Sequence, residues 1–447
     1  MNQEVKIFSS ASIYKLILSL LIFSMQFETI PLPLKVQIAP LTGIFVILFF
    51  VFTLDYIYIT PLFSMFLLWF AFGLLHSTVL LVIDLLLNFN GEPLRFLSWL
   101  RQIITFIIGA LIFWSFRYFI KFSNEKNLCY AVAVLSLPSL ILGFINALWG
   151  LFNLSVLGKI VIFLRKTFAP YGFISNLRSS GFSLEPSTFS GYLVLIVFPF
   201  ALLMRKYNKY LSNFVFILAL ISFIWTFSLS GFILIFMTSF LGFIFFPKRR
   251  RVFFLIFIII VFLFIGVVYL FSWSQIVRHI SFIETGKTNI SITDRFYSTF
   301  GPFLRTFSSF VIIGYGIGGV SFHFRDILPE NIYHEIIRSG IRWKEFANVG
   351  TLIGRVYSEM GLIGFILFIL MLYIGIYQGK EILKRMQDYD KEFYSISLIM
   401  LIASILSLFY LFGSYHNPYF WFWLAILDKK FHEISNNANL CHNRKLQ

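Results

Sequence analysis

Charged side chains are scarce in this chain: Asp, Glu, Lys and Arg make up 13% of its 447 residues, against about 25% in ordinary globular domains. That shortage excludes a soluble enzyme, a disordered tail and a nucleic-acid module, because each needs a polar surface facing water. Cysteine is nearly absent. Cys129 falls in an apolar run and Cys441 in the C-terminal tail, so there is no disulfide framework or cysteine-based metal site, and redox chemistry is not supported. The chain lacks a G-x-x-x-x-G-K phosphate loop, so ATP-driven transport by this chain alone is unsupported. It also lacks internal repeats, low-complexity tracts, Pro-rich linkers and the mirrored Gly/Pro-broken segments of many transporters. No small-residue cleavage pattern follows the apolar core at 16–27, and the first segment reads as a retained helix.

What abounds is hydrocarbon. Apolar residues make up 59% of the chain, and 60 Phe outnumber the 36 basic and 20 acidic side chains combined. Such a chain needs lipid as its solvent. A helix crosses the hydrocarbon core with about 20 apolar residues. Runs near that length occur at 13–30, 37–54, 61–83, 102–119, 128–149, 188–204, 211–228, 230–246, 252–271, 351–377 and 393–412, with a shorter one at 417–428. The stretch 211–246 is too long for one span, and Ser228-Leu229-Ser230-Gly231 supplies the turn that splits it. The pattern predicts an all-α, polytopic integral membrane protein with about 12 transmembrane helices in a single membrane domain.

The net charge of +16 is then read as topology before it is read as ligand binding, since short cytoplasmic loops concentrate Lys and Arg. Arg205, Lys206 and Lys209, the run Lys248-Arg249-Arg250-Arg251, and Lys380, Lys384 and Arg385 share one side. With that side inside, both termini are cytoplasmic, and 20 basic residues lie inside, counting Lys15 and Arg117 at the inner ends of their spans, against 3 in short outside loops. Another 12 occupy two long outside loops, 150–187 and 272–350, which are exempt from the rule. Long loops tend to be functional, so function is expected to face outward. Residues 152–167, with Lys159, Arg165 and Lys166 among apolar neighbours, suit a helix lying along the outer interface.

Several residues could carry chemistry on that face. Arg178-Ser-Ser-Gly181-Phe-Ser-Leu-Glu185-Pro186-Ser187 ends the first long loop, and Pro186 suits the first turn of the next helix. Arg178 offers a planar fork matched to phosphate oxygens, and Glu185 a carboxylate able to accept a proton. The second long loop holds Arg295, Arg305, the cluster Gly314-Tyr315-Gly316-Ile317-Gly318-Gly319 and His323. Such glycines let backbone amides approach a ligand and form a nest for an anion. Arg355 and Glu359 sit one turn apart inside the tenth span, where charges usually face a cavity or each other. A structural (i, i+4) ion pair is an equal reading. His76 reads as a satisfied buried imidazole, and His416 brings a second imidazole to the outer face. Asp388-Tyr389-Asp390 resembles a metal-binding carboxylate pair, but its inside loop is too short for a catalytic domain.

The spacing Arg178-x-x-Gly181-Phe182-x-x-Glu185-Pro186-Ser187, the step from Thr293-Asp294-Arg295 to Gly314-x-Gly316-x-Gly318, and Glu359-x-Gly361-Leu362-Ile363-Gly364 together resemble the O-antigen ligase/polymerase superfamily. The likeness covers about residues 170–428, and within the superfamily the Wzy-type polymerases of O-antigen and capsular polysaccharide are the closer match. Where ligases carry a His-Asn pair this chain has Ala347-Asn348, and where many relatives have an Arg it has Gly231 after Ser230.

The resemblance implies a GT-C-like glycosyltransferase in the bacterial cytoplasmic membrane, working on its outer face. Its substrates would be undecaprenyl-pyrophosphate-linked oligosaccharides, with membrane lipid and a chain-length regulator as further partners and neither cofactor nor metal required. Arg178, Arg295 and Arg305, with Arg355 as a fourth, would clamp pyrophosphate, with Gly316 in the nest and Tyr315 stacking on sugar. Glu185 would be the base, with His323 and Glu359 behind it. A ligase acting on a lipid or protein acceptor and a polysaccharide or lipid exporter are the alternatives; the 79-residue second loop tells against the exporter.

Overall fold

Lipid offers a backbone no hydrogen-bond partners, so a chain dissolved in it must pair its amides locally. The computed structural model describes residues 10–28, 41–53, 58–87, 92–170, 172, 174–245, 266, 300–304, 312–322, 351–386 and 388–445. Among the described residues the regular structure is helical, with no strand. Helices α1 (Ser10–Ser24), α2 (Leu41–Phe49), α3 (Pro61–Leu86) and α4 (Glu92–Phe119) come first. Next, α5 (Glu125–Leu135) and α6 (Leu137–Phe152) form a column broken at Ser136, where Pro138 occupies the first turn of α6. Asn153, in the left-handed conformation at φ 51°, ends α6 and turns the chain into α7 (Ser155–Phe168). A second column joins α8 (Pro186–Tyr192), a π turn (Leu193–Val197) and α9 (Phe198–Met204). Then follow α10 (Lys209–Ile224), α11 (Leu229–Phe245), α12 (Leu352–Arg385), α13 (Asp388–Ser407) and α14 (Pro418–Lys445).

Among the described residues five segments, Pro61–Leu86, Arg95–Phe122, Glu125–Phe152, Pro186–Met204 and Leu352–Arg385, are long and apolar enough to cross a membrane. Their surface is inverted relative to a water-soluble bundle. Leu67, Leu68, Leu75, Val79 and Val82 of α3 are exposed, whereas Ser77 on the same helix, Ser139, Ser190 and Ser222 are buried. Apolar side chains outside and hydroxyls inside are compatible with a membrane protein and would be costly in water.

The core gathers around α14, whose Trp421, Phe422, Trp423 and Leu424 are buried among α4, α12 and α13. A π turn widens the helix and disturbs its hydrogen-bond ladder. The Trp423 indole N–H meets that need by donating to the Leu195 carbonyl at 2.9 Å.

Helix ends meet in two groups. At one end the Leu352 amide donates to the Phe412 carbonyl (2.8 Å), the Tyr419 hydroxyl reaches the Met25 carbonyl (3.3 Å), and the Ser179 amide donates to Trp225 in the α10–α11 turn (2.8 Å). At the other end, Asp428 accepts from Arg117 and from Thr60, the N-cap of α3, and so ties α3, α4 and α14 together. A cavity of about 460 Å³ opens at this second end, lined by Lys126, Tyr207, Tyr394, Lys429, Lys430 and Glu433 among others.

The expected spans correspond to helices with shifted limits. The fourth begins at Glu92 rather than 102, and the short run at 417–428 opens a helix that continues to Lys445. The 211–246 stretch does split into two helices, but at Trp225–Ser228, with Ser230 and Gly231 inside α11, and the two pack mainly on other elements, α10 on α6 and α9, α11 on α8 and α13. Gly231 is needed there for close packing, because a Cβ would collide with Ser190 of α8. The helix expected at 152–167 is α7. The ninth span at 252–271 lies outside the described residues apart from Gly266.

Candidate functional site

The strip from Ile174 to Glu185 carries the motif singled out in the sequence, and neighbouring elements pin its backbone. Asn146 of α6 donates to the Ser175 carbonyl (3.2 Å), Trp225 to the Asn176 carbonyl (3.2 Å), and the Phe182 amide to Ser139 Oγ (3.2 Å). Arg165 of α7 is buried and donates to the carbonyls of Gly181 and Ser183 (2.7 Å to the latter). Burial pushes its pKa down to about 10, the nearby Glu28 acting in the opposite sense. Where the sequence suggests an interfacial anchor, the structure makes Arg165 the internal support of the strip.

Arg178 is half-buried and donates through Nε to the Thr226 carbonyl (3.0 Å) and through a terminal nitrogen to Phe227 (3.3 Å). These acceptors are neutral, so they orient the guanidinium without cancelling its charge. Burial lowers its proton affinity, and Glu185 opposes that effect. Glu185 is exposed at the N-cap of α8, where its carboxylate accepts from Ser187 Oγ (3.0 Å). Arg178 and Glu185 are thus brought into one electrostatic neighbourhood.

Sequence reasoning missed the residue facing them. Glu28, four positions beyond α1, places Oε2 2.8 Å from the Leu184 amide and 3.0 Å from the Thr188 hydroxyl. Phe27 beside it stacks on Phe182 with ring centroids 5.0 Å apart, which fixes the approach of this segment to the strip. Burial raises the Glu28 pKa from 4.5 to about 7; the hydrogen bonds from Leu184 and Thr188 pull it down, Glu185 pushes it up and Arg165 pulls it down. The available signal is a lone carboxylate within the apolar run 13–30, an expensive placement unless it is used.

A second cluster forms where α12 breaks. Gly361 has φ 65° and ψ −168°, which opens the helix after Met360 and leaves the carbonyls before it without their usual amides. The glycine loop fills the gap: the Tyr315 amide donates to Ser358 (2.9 Å) and the Gly316 amide to Glu359 (2.8 Å). Gly314, Gly316 and Gly318 all carry positive φ. The Ile317 amide goes to Ser77 Oγ (2.9 Å) and the Gly318 amide to the Glu359 carboxylate (3.2 Å). Of the amides in the expected nest, that of Gly318 alone reaches an anion, the Glu359 carboxylate; those of 315–317 go to neutral oxygens. No amide from 315 to 318 is left for a ligand.

Arg355 and Glu359 are both buried and paired at 3.2 Å. Arg355 also donates to Gln102 and to the Gly413 carbonyl (3.2 Å), while the Tyr415 hydroxyl donates to Glu359 at 2.6 Å. This network joins α4, α12, the glycine loop and the segment before α14, and its groups are spent on one another. Tyr315 is buried rather than open to a sugar, and its carbonyl accepts from Arg95 (3.1 Å). His76 is half-buried; its Nε2 lies 2.9 Å from the Ile313 carbonyl, while its Nδ1 has no partner among the described residues, so the imidazole is satisfied at one nitrogen only. The partner of His416 is Ser414 (2.8 Å), and burial with the nearby Arg355 pushes this imidazole down to about 3.

The structure thus brings Arg178 and Glu185 together, and separately Arg355, Glu359, Tyr315 and Gly316. Arg295, Arg305 and His323 lie outside the described residues. Among the described residues no group of three His, Cys, Asp or Glu is placed to hold a metal. No protein-family model matches the chain, and no curated protein matches it.

Proposed function

We propose that this protein is a membrane glycosyltransferase that polymerises undecaprenyl-pyrophosphate-linked oligosaccharide repeats at the outer face of the bacterial cytoplasmic membrane. The observation that carries the reading is the Glu28 end of the bundle, where Arg165, Arg178, Glu28 and Glu185 converge on the strip entering α8. The reading includes a GT-C-like fold of twelve spans with both termini cytoplasmic, which puts that end outward.

In this reaction a sugar hydroxyl attacks an anomeric carbon whose leaving group is a lipid diphosphate. The leaving group departs readily, so the protein has to hold the donor, stabilise negative charge on the departing diphosphate and accept the acceptor's proton. Arg178 serves the first two tasks, joined in this reading by Arg295 and Arg305, and a carboxylate serves the third. Arg355 and Glu359 act as scaffold, because their donors and acceptors are already matched inside the bundle.

The test is purified protein in liposomes supplied with lipid-linked repeats alone. A ladder of lengthening products is expected, and R178A should slow it by about 10²–10³-fold, the effect of removing one preorganised donor to a developing anion. A single transfer to another lipid or protein acceptor would indicate a ligase. Full-rate polymer from R178A at normal protein levels would remove Arg178 from the site.

A further inference from the structure

The geometry points to Glu28 as the general base of this site, the carboxylate that takes the proton from the acceptor sugar hydroxyl; the inference rests on the polymerase reading. Glu185 is the obvious carboxylate from the sequence, but it is exposed and accepts from Ser187 at the N-cap of α8. Water solvates it there, and its position serves the helix terminus rather than an enclosed proton transfer. Glu28 comes from a distant part of the chain and is held from below. Its Oε2 is fixed by the Leu184 amide and the Thr188 hydroxyl, while Oε1 accepts no hydrogen bond among the described residues. One oxygen is thus anchored to the strip that carries the motif, and the other is left to face a substrate.

The charged and titratable groups facing Glu28 are Arg165 from α7, Glu185 at the start of α8 and Tyr419 from α14. Arg165 favours the carboxylate and Glu185 opposes it, while burial, the largest influence, raises the pKa to about 7. A base whose proton affinity matches the ambient pH combines adequate ionised population with adequate driving force. Arg178 lies on the same strip, six positions before Leu184, and in the proposed reaction it holds the diphosphate.

The step balances without a cofactor. The acceptor O–H gives its proton to the Glu28 carboxylate, and its oxygen forms a bond to the donor's anomeric carbon. The bond from that carbon to the diphosphate oxygen breaks, with the electron pair leaving on the lipid diphosphate. Glu28 later releases its proton to water.

The experiment measures initial polymerisation rates of wild type and E28Q in liposomes with lipid-linked repeats from about pH 5.5 to 8.5, alongside binding of the same repeats. Wild type should accelerate as pH rises through about 7 and then level off. E28Q should be slower by about 10²–10⁴-fold, the usual worth of a positioned acid or base, with the pH inflection gone and repeat binding within about threefold of wild type. E28D keeps a carboxylate one methylene back; it should retain part of the rate with a displaced inflection, and it replaces E28Q if that variant does not fold. Wild-type polymer together with an unchanged rate and profile in E28Q, or an unmoved inflection in E28D, overturns the assignment alone. A wild type that binds repeats but makes no polymer overturns the polymerase reading and the base with it.

Discussion

The Arg355–Glu359 pair supports a prediction whose size follows from burial. Arg355 and Glu359 are 3% and 1% exposed, and their charges meet at 3.2 Å. Among the described residues, replacing Arg355 by Met leaves a buried carboxylate facing two neutral donors, the Gly318 amide and the Tyr415 hydroxyl. Breaking one side of a buried pair costs about 3–5 kcal/mol, because the remaining charge stays desolvated without its partner. E359Q should fall toward the lower limit, since Arg355 keeps Gln102, Gly413 and the Tyr415 ring, whose centroid lies 4.7 Å from its guanidinium carbon. The double variant R355M/E359Q carries neither charge and should be more stable than R355M. Equilibrium unfolding in mixed detergent micelles gives the four free energies, and a double-mutant cycle should return a coupling of at least about 1.5 kcal/mol. If both single variants lose less than about 1 kcal/mol and their effects add, the pair is not the lock inferred from the structure. If E359Q abolishes polymerisation at unchanged stability, Glu359 belongs to the chemistry after all.

Two further outcomes follow from the same structure. G361A should destabilise the fold by about 1–3 kcal/mol and loosen the glycine loop, because φ 65° strains any side chain and a Cβ would overlap the Ile313 carbonyl oxygen; the same detergent titration measures it, and a neutral result would refute the docking of the loop at this break. Glu28 titrates near 7 when folded against 4.5 ordinarily, so the folded state binds the extra proton between those values; its contribution to stability is full below pH 4.5 and is lost as pH rises through about 7. The wild-type melting temperature minus that of E28Q should therefore decline from about pH 4.5 to 8, and a flat difference would show that the half-buried Glu28 keeps an ordinary carboxylate in the fold.

Apolar run length predicts most of the helices because lipid penalises anything but continuous helix, and that constraint acts locally along the chain. The helix α7, the turn within 211–246 and the entry of α8 at Pro186 are local features of the same kind. The turn comes a few residues earlier than Ser230 and Gly231 suggest, because these look like loop formers in isolation, whereas the contact of Gly231 with Ser190 of α8 makes them good helix-packing residues. The site depends on contacts that no local pattern encodes. Glu28 meets Leu184 across 156 positions of chain, and the Gly318 amide meets Glu359 across 41. Neither separation leaves a periodicity to find. The glycine cluster gives one amide, that of Gly318, to the Glu359 carboxylate and its others to neutral oxygens, because the break in α12 leaves carbonyls to be paired, and Gly361 announces that break only when its φ is known. What sequence does expose is cost. An ionisable residue in an apolar run is expensive unless something compensates it, and by that criterion Glu28 stands out as clearly as Arg355 and Glu359. Arg165 does not, because three basic residues spaced along an amphipathic helix are inexpensive on the surface. Only the carbonyls of Gly181 and Ser183 show that this one turns inward.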